Sequence, residues 1–398
     1  MVPGKCDILV IGGGIIGLTV ARELLLRGAE DVLLIEKESA PGKHASGRNS
    51  GVLHAGVYYT PDTFKARFCI EGNRRMKEYC REKGLPLLDT GKVIVARKEA
   101  EVPVLEELSR RGRANGIEVK EIGAQELKEI EPHASTCDKA LYSPNTSVVD
   151  PVKILQALEN ELLSSGRLAI HYNTAFVGLS SGRSVVTSRG RVTFNKLINA
   201  AGAYSDFVAH AFDAGRGYRI LPFKGTYKKL HPEAGHLVRT SIYPVPDLRN
   251  PFLGVHFTRG VYGEVTIGPT AIPALGRENY GLFRGVGPES ISILWRDAVL
   301  FVADRAFRTV ALTEVRKYSR HVFTEEAGQL VPAVKNSDII PCSKVGIRPQ
   351  LVDWRRKRLV GDFVVLKDGD AIHVLNAISP AFTSAMPFAE YVVDRLLS

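Results

Sequence analysis

Residues 6–36, CDILVIGGGIIGLTVARELLLRGAEDVLLIE, decide the fold of this chain. An apolar run typical of a buried strand, CDILVIG (6–12), leads into a glycine-rich turn. A stretch with helical spacing (15–28) and a second apolar strand (31–36) follow, and Gly28 is the expected glycine at the end of the helix. Strand, turn, helix and strand within about 30 residues predict a βαβ unit of a parallel sheet.

The turn of this unit, GGGIIG (12–17), matches the G-x-G-x-x-G pattern of dinucleotide-binding folds. Gly12 permits the tight turn, Gly14 lets a pyrophosphate approach the helix N-terminus, and Gly17 allows the helix to pack closely on the strand. Glu36, at the end of the second strand, can accept hydrogen bonds from ribose hydroxyls and disfavours the 2′-phosphate of NADP. We therefore predict an FAD or NAD site. Its further contacts in this unit are Ile15, Ile16 and Lys37.

Composition limits the classes of protein to which the chain can belong. With 44% apolar and 24% charged residues among 398, it has the balance of a globular protein of two or three domain-sized units. No apolar signal segment precedes the first strand, and no run of about 18 apolar residues predicts a membrane span. The five cysteines lack CxxC spacing, so we expect no disulfide framework, no metal site and a cytoplasmic location.

The charge balance is basic, with 53 Lys and Arg against 43 Asp and Glu, giving a net charge of +10. Such a balance attracts nucleic acid, anionic membranes or anionic small molecules. The charges are dispersed, apart from the run WRRKR at 354–358, and no basic stripe interleaved with aromatic residues is present. We therefore expect an anionic small-molecule substrate and no nucleic-acid partner.

The remaining segments predict a Rossmann-like α/β domain interrupted twice by a second domain. DPVKILQALENELLSSG (150–166) predicts a helix with Asp150 as its N-cap and Pro151 at its first position. RVTFNKLINAAG (191–202) is a buried strand that enters a turn of small residues. We expect the dinucleotide-binding domain to comprise residues 1–84, 150–215 and 336–398. A substrate-binding α+β domain with a mixed or antiparallel sheet would comprise residues 85–149 and 216–335.

Four further motifs carry a resemblance to a known family. They are SGRNSGVLHAGVYY (46–59), FKARFC (64–69), GIRPQ (346–350) and NAISPAFTS (376–384). Together with the first glycine motif and the Ala-Ala-Gly turn, they resemble the glycine oxidase/D-amino-acid oxidase superfamily of FAD-dependent oxidoreductases. Within it, the chain is most similar to the L-2-hydroxyglutarate dehydrogenase/oxidase family, over nearly its whole length. The resemblance implies a Rossmann-like FAD-binding domain and non-covalent FAD.

The resemblance also places the small residues of these motifs against the flavin. A helix expected to start near Ser384 would direct the positive end of its dipole at the flavin pyrimidine ring. The cofactor contacts that the resemblance implies are Ser46, Arg48, Asn49, Ser50, Gly51, Leu53, Phe176, Val177, Ala200, Ala201, Gly202, Gly346, Arg348, Ser379, Pro380, Ala381, Phe382, Thr383 and Ser384.

The implied reaction is oxidation of a 2-hydroxy acid, best matched by L-2-hydroxyglutarate going to 2-oxoglutarate, with hydride transfer to flavin N5. A base must take the hydroxyl proton, and imidazole suits this role because its pKa is ordinarily near 6.5. His54 is the first candidate and His256 the second. Arginine offers a planar fork to a carboxylate. The candidate cations for the substrate carboxylates are Arg348 and Lys224, ahead of Arg67 and Arg259.

Several alternatives stay open. In the substrate domain the family's RGxYY-like and Asp-Gly elements are replaced by KGTYKK (224–229) and Tyr262–Gly263, so another 2-hydroxy acid is an alternative. An FAD amine oxidase of the glycine oxidase type would use the same fold. We expect either a membrane quinone or oxygen as the electron acceptor. With a quinone, Trp354 and the cations at 355–358 could hold the protein peripherally on the inner face of the membrane.

Overall fold

A computed structural model describes residues 2–248, 253–317 and 319–398. The strands in these ranges are β1 (Lys5–Ile11), β2 (Val32–Ile35), β3 (Val52–Leu53), β4 (Leu87–Leu88), β5 (Lys92–Val95), β6 (Lys120–Gly123), β7 (Lys139–Ser143), β8 (Ser147–Val149), β9 (Leu168–His171), β10 (Phe176–Ser181), β11 (Ser184–Thr187), β12 (Gly190–Asn199), β13 (Tyr218–Leu230), β14 (Ser241–Pro244), β15 (Phe257–Arg259), β16 (Val265–Ile267), β17 (Ile272–Pro273), β18 (Ile339–Asp353), β19 (Arg358–Leu359), β20 (Val365–Asp368) and β21 (Ala371–Val374). The α-helices are α1 (Ile15–Leu26), α2 (Phe64–Glu82), α3 (Val102–Ala114), α4 (Ala124–Ile130), α5 (Pro151–Ser164), α6 (Ser205–Ala211), α7 (Glu289–Ala303), α8 (Arg305–Arg316), α9 (Arg320–Gly328) and α10 (Ala381–Leu397).

The first sheet has the parallel core expected of a dinucleotide-binding fold. Its strands β9, β2, β1, β12 and β21 run parallel in that order, and β10, β11 and β20 add antiparallel pairs. Helices α1, α5 and α10 bury their apolar sides in one cluster with it, including Leu18, Leu158 and Val392. The predicted βαβ unit is confirmed. The predicted helix cap is confirmed as well. The Asp150 carboxylate accepts hydrogen bonds from the backbone N–H groups of Val152 and Lys153 in the first turn of α5.

The second sheet is mixed and mostly antiparallel, in the order β19-β18-β13-β16-β15-β14-β5-β7-β6, with β17 beside β13. Its parallel pair is β5 with β14. Helices α7 and α8 pack against β13, where Ile293 and Phe307 meet Leu221 and Phe223. An α/β fold with a second domain that carries a mixed sheet is thereby confirmed.

One predicted boundary needs correction. Strand β18 lies in the segment 336–398 that we expected in the dinucleotide-binding domain, yet it pairs with β13 from Tyr218↔Asp353 to Leu230↔Ile339. Because these backbone hydrogen bonds tie it to the second sheet, the first sheet resumes only at β20. The division into two domains otherwise remains a prediction. A third, three-stranded sheet (β3, β8, β4) joins segments assigned to both domains.

The carboxyl ends of β1 and β12 meet beside the N-terminal turn of α10. Ile11 pairs with Asn199, so Gly12 follows one strand where Ala200 follows the other. Helix α10 begins at Ala381, which corrects the expected start near Ser384. Because Ser384 N–H already donates to Pro380 O, Ser384 lies inside the first turn.

Candidate active site

A cavity of about 560 Å³ lies at the carboxyl edge of the parallel strands, a volume typical of small-molecule and cofactor sites. The second sheet contributes Gly225, Tyr227, Tyr243 and residues 346–349 to its wall, and the loop before α10 contributes residues 377–380. The predicted site residues that line it are Gly12, Gly14, Ile15, Ile16, Glu36, Lys37, Ser46, Arg48, Asn49, Ser50, His54, Phe176, Ala200, Ala201, Gly202, His256, Gly346, Arg348, Ser379, Pro380, Ala381, Phe382 and Thr383.

Six predicted residues do not line the cavity: Gly17, Gly51, Leu53, Val177, Lys224 and Ser384. Gly17 has a packing role, since a Cβ there would lie 1.8 Å from Gly12 O. Gly51 supplies a turn with φ +76°, and Val177 is 54% exposed on β10. Lys224 Nζ donates to Gly281 O at 2.8 Å, and its role as a substrate cation stays a prediction. Leu53 and Ser384 are fully buried in the strand β3 and the helix α10.

The glycine turn forms a cradle that only backbone can line. A Cβ at Gly12, whose φ is +109°, would lie 2.5 Å from Ala200 O, and a Cβ at Gly14 would lie 3.0 Å from Ser46 Oγ. Ser46 Oγ accepts a hydrogen bond from Ile15 N–H at 2.9 Å, so it fixes the start of α1. The N-terminus of α1 with this glycine surface fits the pyrophosphate of a dinucleotide.

Glu36 is held in place at the end of β2 by two backbone donors. Its Oε2 accepts from Gly13 N–H at 2.6 Å, and its Oε1 accepts from Glu38 N–H at 2.9 Å. Each carboxylate oxygen keeps a further lone pair, and Glu36 lines the cavity. The position therefore fits the ribose hydroxyls of FAD.

A polar network that the sequence did not suggest joins the segment after β2 to the segment before α7. Lys37 Nζ contacts Glu38 Oε1 at 2.5 Å, Glu278 Oε1 at 2.6 Å and His44 Nε2 at 2.6 Å. Tyr280 OH contacts His44 Nδ1 at 2.6 Å. The oxygen and nitrogen atoms of Glu38, His44 and Glu278 are close enough to hold a metal ion, but the Lys37 ammonium already contacts all three side chains.

His54 is fixed through its backbone and has a neutral ring. Its N–H donates to Thr383 Oγ1 at 3.2 Å, and its carbonyl accepts from Asn73 Nδ2 at 3.2 Å. Burial lowers the pKa of His54 to about 3, with smaller contributions from the charges of Lys92 and His256. Nδ1 is buried without a hydrogen-bond partner in the described part of the chain. A neutral imidazole keeps one ring nitrogen as a proton acceptor.

His256 has the same protonation state and a defined tautomer. Its Nδ1–H donates to Gly254 O at 2.9 Å, which leaves the lone pair on Nε2, and its ring stacks on Tyr243 with centroids 3.9 Å apart. Burial lowers the pKa of His256 to about 4. Both predicted bases therefore line the cavity in the neutral form, and the choice between them stays open.

Lys92 was missed by the sequence analysis and is the most unusual group near the site. It is fully buried at the start of β5, an inner strand of the second sheet, and its Nζ has no hydrogen-bond partner among the described residues. The ammonium lies over the rings of Tyr58 and Tyr243, 4.3 and 5.1 Å from their centroids. Burial lowers the pKa of Lys92 to about 7. The sequence feature that could have identified Lys92 is its position at the start of the apolar run KVIVA (92–96).

Arg348 is the predicted substrate cation that the structure places in the cavity wall. Burial lowers its pKa to about 10, while nearby Tyr59 opposes this shift. Its Nη2 donates to Gln350 Oε1 at 3.4 Å. Lys65, which the sequence analysis did not single out, is a second buried cation nearby, and burial together with Arg348 lowers its pKa to about 7.

The other candidate cations lie outside the cavity wall. Arg67 is exposed on α2. The guanidinium of Arg259 donates from Nη1 to Val238 O at 2.9 Å and to Gly235 O at 3.3 Å.

Comparisons with known proteins agree with this geometry. The model of a family described as FAD dependent oxidoreductase (DAO) matches residues 7–395. An L-2-hydroxyglutarate dehydrogenase of Indibacter alkaliphilus is 38% identical to this chain over 98% of both chains. One from Escherichia coli K12 is 35% identical over 98% of this chain and 93% of its own length. The solved structure of an L-alpha-glycerophosphate oxidase from Mycoplasma pneumoniae with FAD bound superposes with a TM-score of 0.78 at 23% identity. The match covers 99% of this chain and 95% of that chain, and it shows that the two proteins share a fold.

Proposed function

Because this chain belongs to the DAO family of FAD-dependent oxidoreductases, we propose that it oxidises a 2-hydroxy acid, with L-2-hydroxyglutarate as substrate and 2-oxoglutarate as product. Relatives named for this substrate match the chain over nearly its whole length. One observation carries the proposal. The cavity that contains the glycine cradle is also lined by two neutral imidazoles and a half-buried guanidinium. An anionic 2-hydroxy acid needs both a base and a cation.

The roles of the side chains follow from their protonation states. FAD bound in the cavity supplies the acceptor for the hydride that leaves the hydroxyl-bearing carbon. His54, with His256 as the second candidate, takes the hydroxyl proton on an imidazole nitrogen. Arg348 binds a substrate carboxylate through charge-assisted hydrogen bonds. Burial lowers the pKa of both histidines, with a smaller contribution from Lys92, so both rings are neutral.

The proposed cofactor site keeps only the predicted residues that line the cavity. Gly12, Gly14 and the start of α1 would bind the pyrophosphate, and Glu36 would bind the ribose. The first turn of α10, from Ala381, would place its N-terminal dipole at the flavin.

The proposed reaction also needs an electron acceptor, which receives the electrons of the reduced flavin. We propose a membrane quinone as the acceptor, with oxygen as the alternative, for a cytoplasmic enzyme that docks on the inner face of the membrane. None of the helices within the described ranges is long and apolar enough to cross a bilayer, so the contact would be peripheral. The exposed cations Arg355, Arg356 and Arg358 support this location.

Anaerobic bleaching of the flavin tests the substrate class directly. The holoenzyme is mixed without oxygen with L-2-hydroxyglutarate, its D-enantiomer, L-lactate, glycine and L-glutamate, and flavin absorbance is followed. We expect rapid bleaching by L-2-hydroxyglutarate and none by the amino acids. Bleaching by glycine or glutamate alone would replace the proposal with an amine oxidase of the same fold. Bleaching by lactate alone would retain the chemistry and change the substrate.

A further inference from the structure

Helix α7 carries an apolar stripe that faces solvent. Ile291, Leu294, Trp295 and Val302 follow helical spacing and are 77%, 51%, 59% and 78% exposed. A surface helix ordinarily buries its only apolar stripe against the core. A different side of α7 packs against the core, through Ile293 and Leu300, which are almost fully buried. The exposed stripe therefore does not contribute to the packing of α7 against the core.

A basic loop lies directly beside this stripe. Trp354, in the loop between β18 and β19, packs on Trp295 with ring centroids 5.4 Å apart. Lys357 Nζ covers the Trp354 ring at 3.5 Å, and Arg355, Arg356 and Arg358 are exposed. In the described ranges only Arg356 of these cations lies near an acidic side chain, Asp353, at 3.8 Å. Apolar side chains, two indole rings and unneutralised cations thus share one surface.

We propose that this surface, formed by the α7 stripe and residues 354–358, docks on a lipid bilayer that contains anionic lipids. A helix with exposed apolar residues on one side and basic residues next to them is the pattern of a protein that lies in the membrane interface. Tryptophan is enriched at that depth, because its ring is apolar and its N–H is polar. Anionic headgroups complement the loop, and each cation near them strengthens binding about fivefold.

A second copy of this chain fits the surface less well. A twofold symmetric interface brings the same patch of each subunit together. The loops at 355–358 would then face each other, and their like charges would repel.

Docking at this surface would place the cavity close to the membrane. The inner side of α7 packs on β13 through Ile293, and β13 contributes Phe223 and Gly225 to the cavity wall. One helix and one strand thus separate the lipid from the cavity. The inference rests on the membrane docking in the proposed function and names the surface that makes it, and it does not depend on which 2-hydroxy acid is oxidised.

The two tryptophans of this chain, Trp295 and Trp354, both belong to the proposed surface, so intrinsic fluorescence reports on docking. The holoenzyme is mixed with vesicles of phosphatidylcholine, with and without phosphatidylglycerol, at low and high salt. We expect sedimentation with the anionic vesicles at low salt, a blue shift of the emission, and quenching by brominated acyl chains. High salt weakens the electrostatic part of this binding.

Variants separate the two parts of the surface. We expect the double variant Ile291→Asp, Val302→Asp to bind at least tenfold more weakly, and the triple variant Arg355→Gln, Arg356→Gln, Arg358→Gln to lose its preference for phosphatidylglycerol. The control Leu26→Asp changes a residue that is 63% exposed on α1 and should bind like the wild type. Flavin content and turnover with a soluble dye show that each variant is folded.

Three results would overturn the inference. The first is a wild-type protein that does not bind anionic vesicles even at low salt. The second is a double variant that binds as well as the wild type. The third is a blue shift that follows protein concentration without lipid, which would identify a second copy as the occupant. Dye-linked activity without vesicle binding would leave the proposed reaction intact.

Discussion

Replacement of Lys92 by methionine should stabilise this protein, and it should do so most at low pH. Methionine retains an unbranched apolar side chain of similar length but has no charge to bury. The wild-type ammonium is fully buried, and its Nζ has no hydrogen-bond partner within the described residues. Removal of a charge from water without such a partner costs free energy in the folded state.

The magnitude follows from the pKa of Lys92, which burial lowers from 10.5 to about 7. At about 1.4 kcal/mol per pKa unit, the charged form costs the folded state about 5 kcal/mol. The sign follows from proton binding. Between about pH 7 and pH 10.5 the unfolded chain holds this proton and the folded chain does not, so the stability of the wild type rises with pH through that window. The cost is complete below this window and absent above it.

Urea unfolding at about pH 6 and about pH 10 measures the difference. The variant should have a higher unfolding midpoint than the wild type at the lower pH, and the gain should shrink at the higher pH. Lys229→Met, at a half-buried position of β13, is the matched control and should show no such trend. Equal destabilisation of Lys92→Met at both pH values would refute the reasoning, because the contacts with Tyr58 and Tyr243 would then outweigh the cost of burial.

Three further predictions concern the cavity. Gly14→Val should abolish flavin binding, because its side chain would occupy the surface of the glycine turn that is proposed to bind the pyrophosphate; flavin absorbance after purification checks this. Gly328→Val, where nothing lies within 4 Å of a Cβ, should keep its flavin. His54→Asn should retain FAD and slow flavin reduction by about 10²–10⁴-fold in stopped flow; an unchanged rate at saturating substrate would transfer the role to His256. Arg348→Lys should weaken substrate binding by about 10- to 150-fold, since a charge-assisted hydrogen bond contributes about 1.5–3 kcal/mol. The exposed Arg67→Lys serves as its control, and equal affinity in both variants would contradict the role.

Local sequence determined the parts of this protein that depend on neighbouring residues. The βαβ unit was predictable because apolar runs, helical spacing and glycine turns act within about 30 residues. The cap of α5 by Asp150 was predictable for the same reason, since the side chain bonds to N–H groups two and three residues further on. The glycine positions of the cradle were likewise legible, because a positive φ at Gly12 is a local requirement.

Tertiary structure decided which of the candidate side chains meet. Arg348 and Lys224 were both candidate cations in the sequence, yet Lys224 Nζ donates to Gly281 O while Arg348 lines the cavity. Strand pairing over long distances sets such outcomes, and it also assigned β18 to the second sheet. Lys92 became a buried cation only because β5 is an inner strand between β14 and β7. Its neighbours Tyr58 and Tyr243 come from distant segments, and burial, the main cause of its shifted pKa, arises only when those segments pack together.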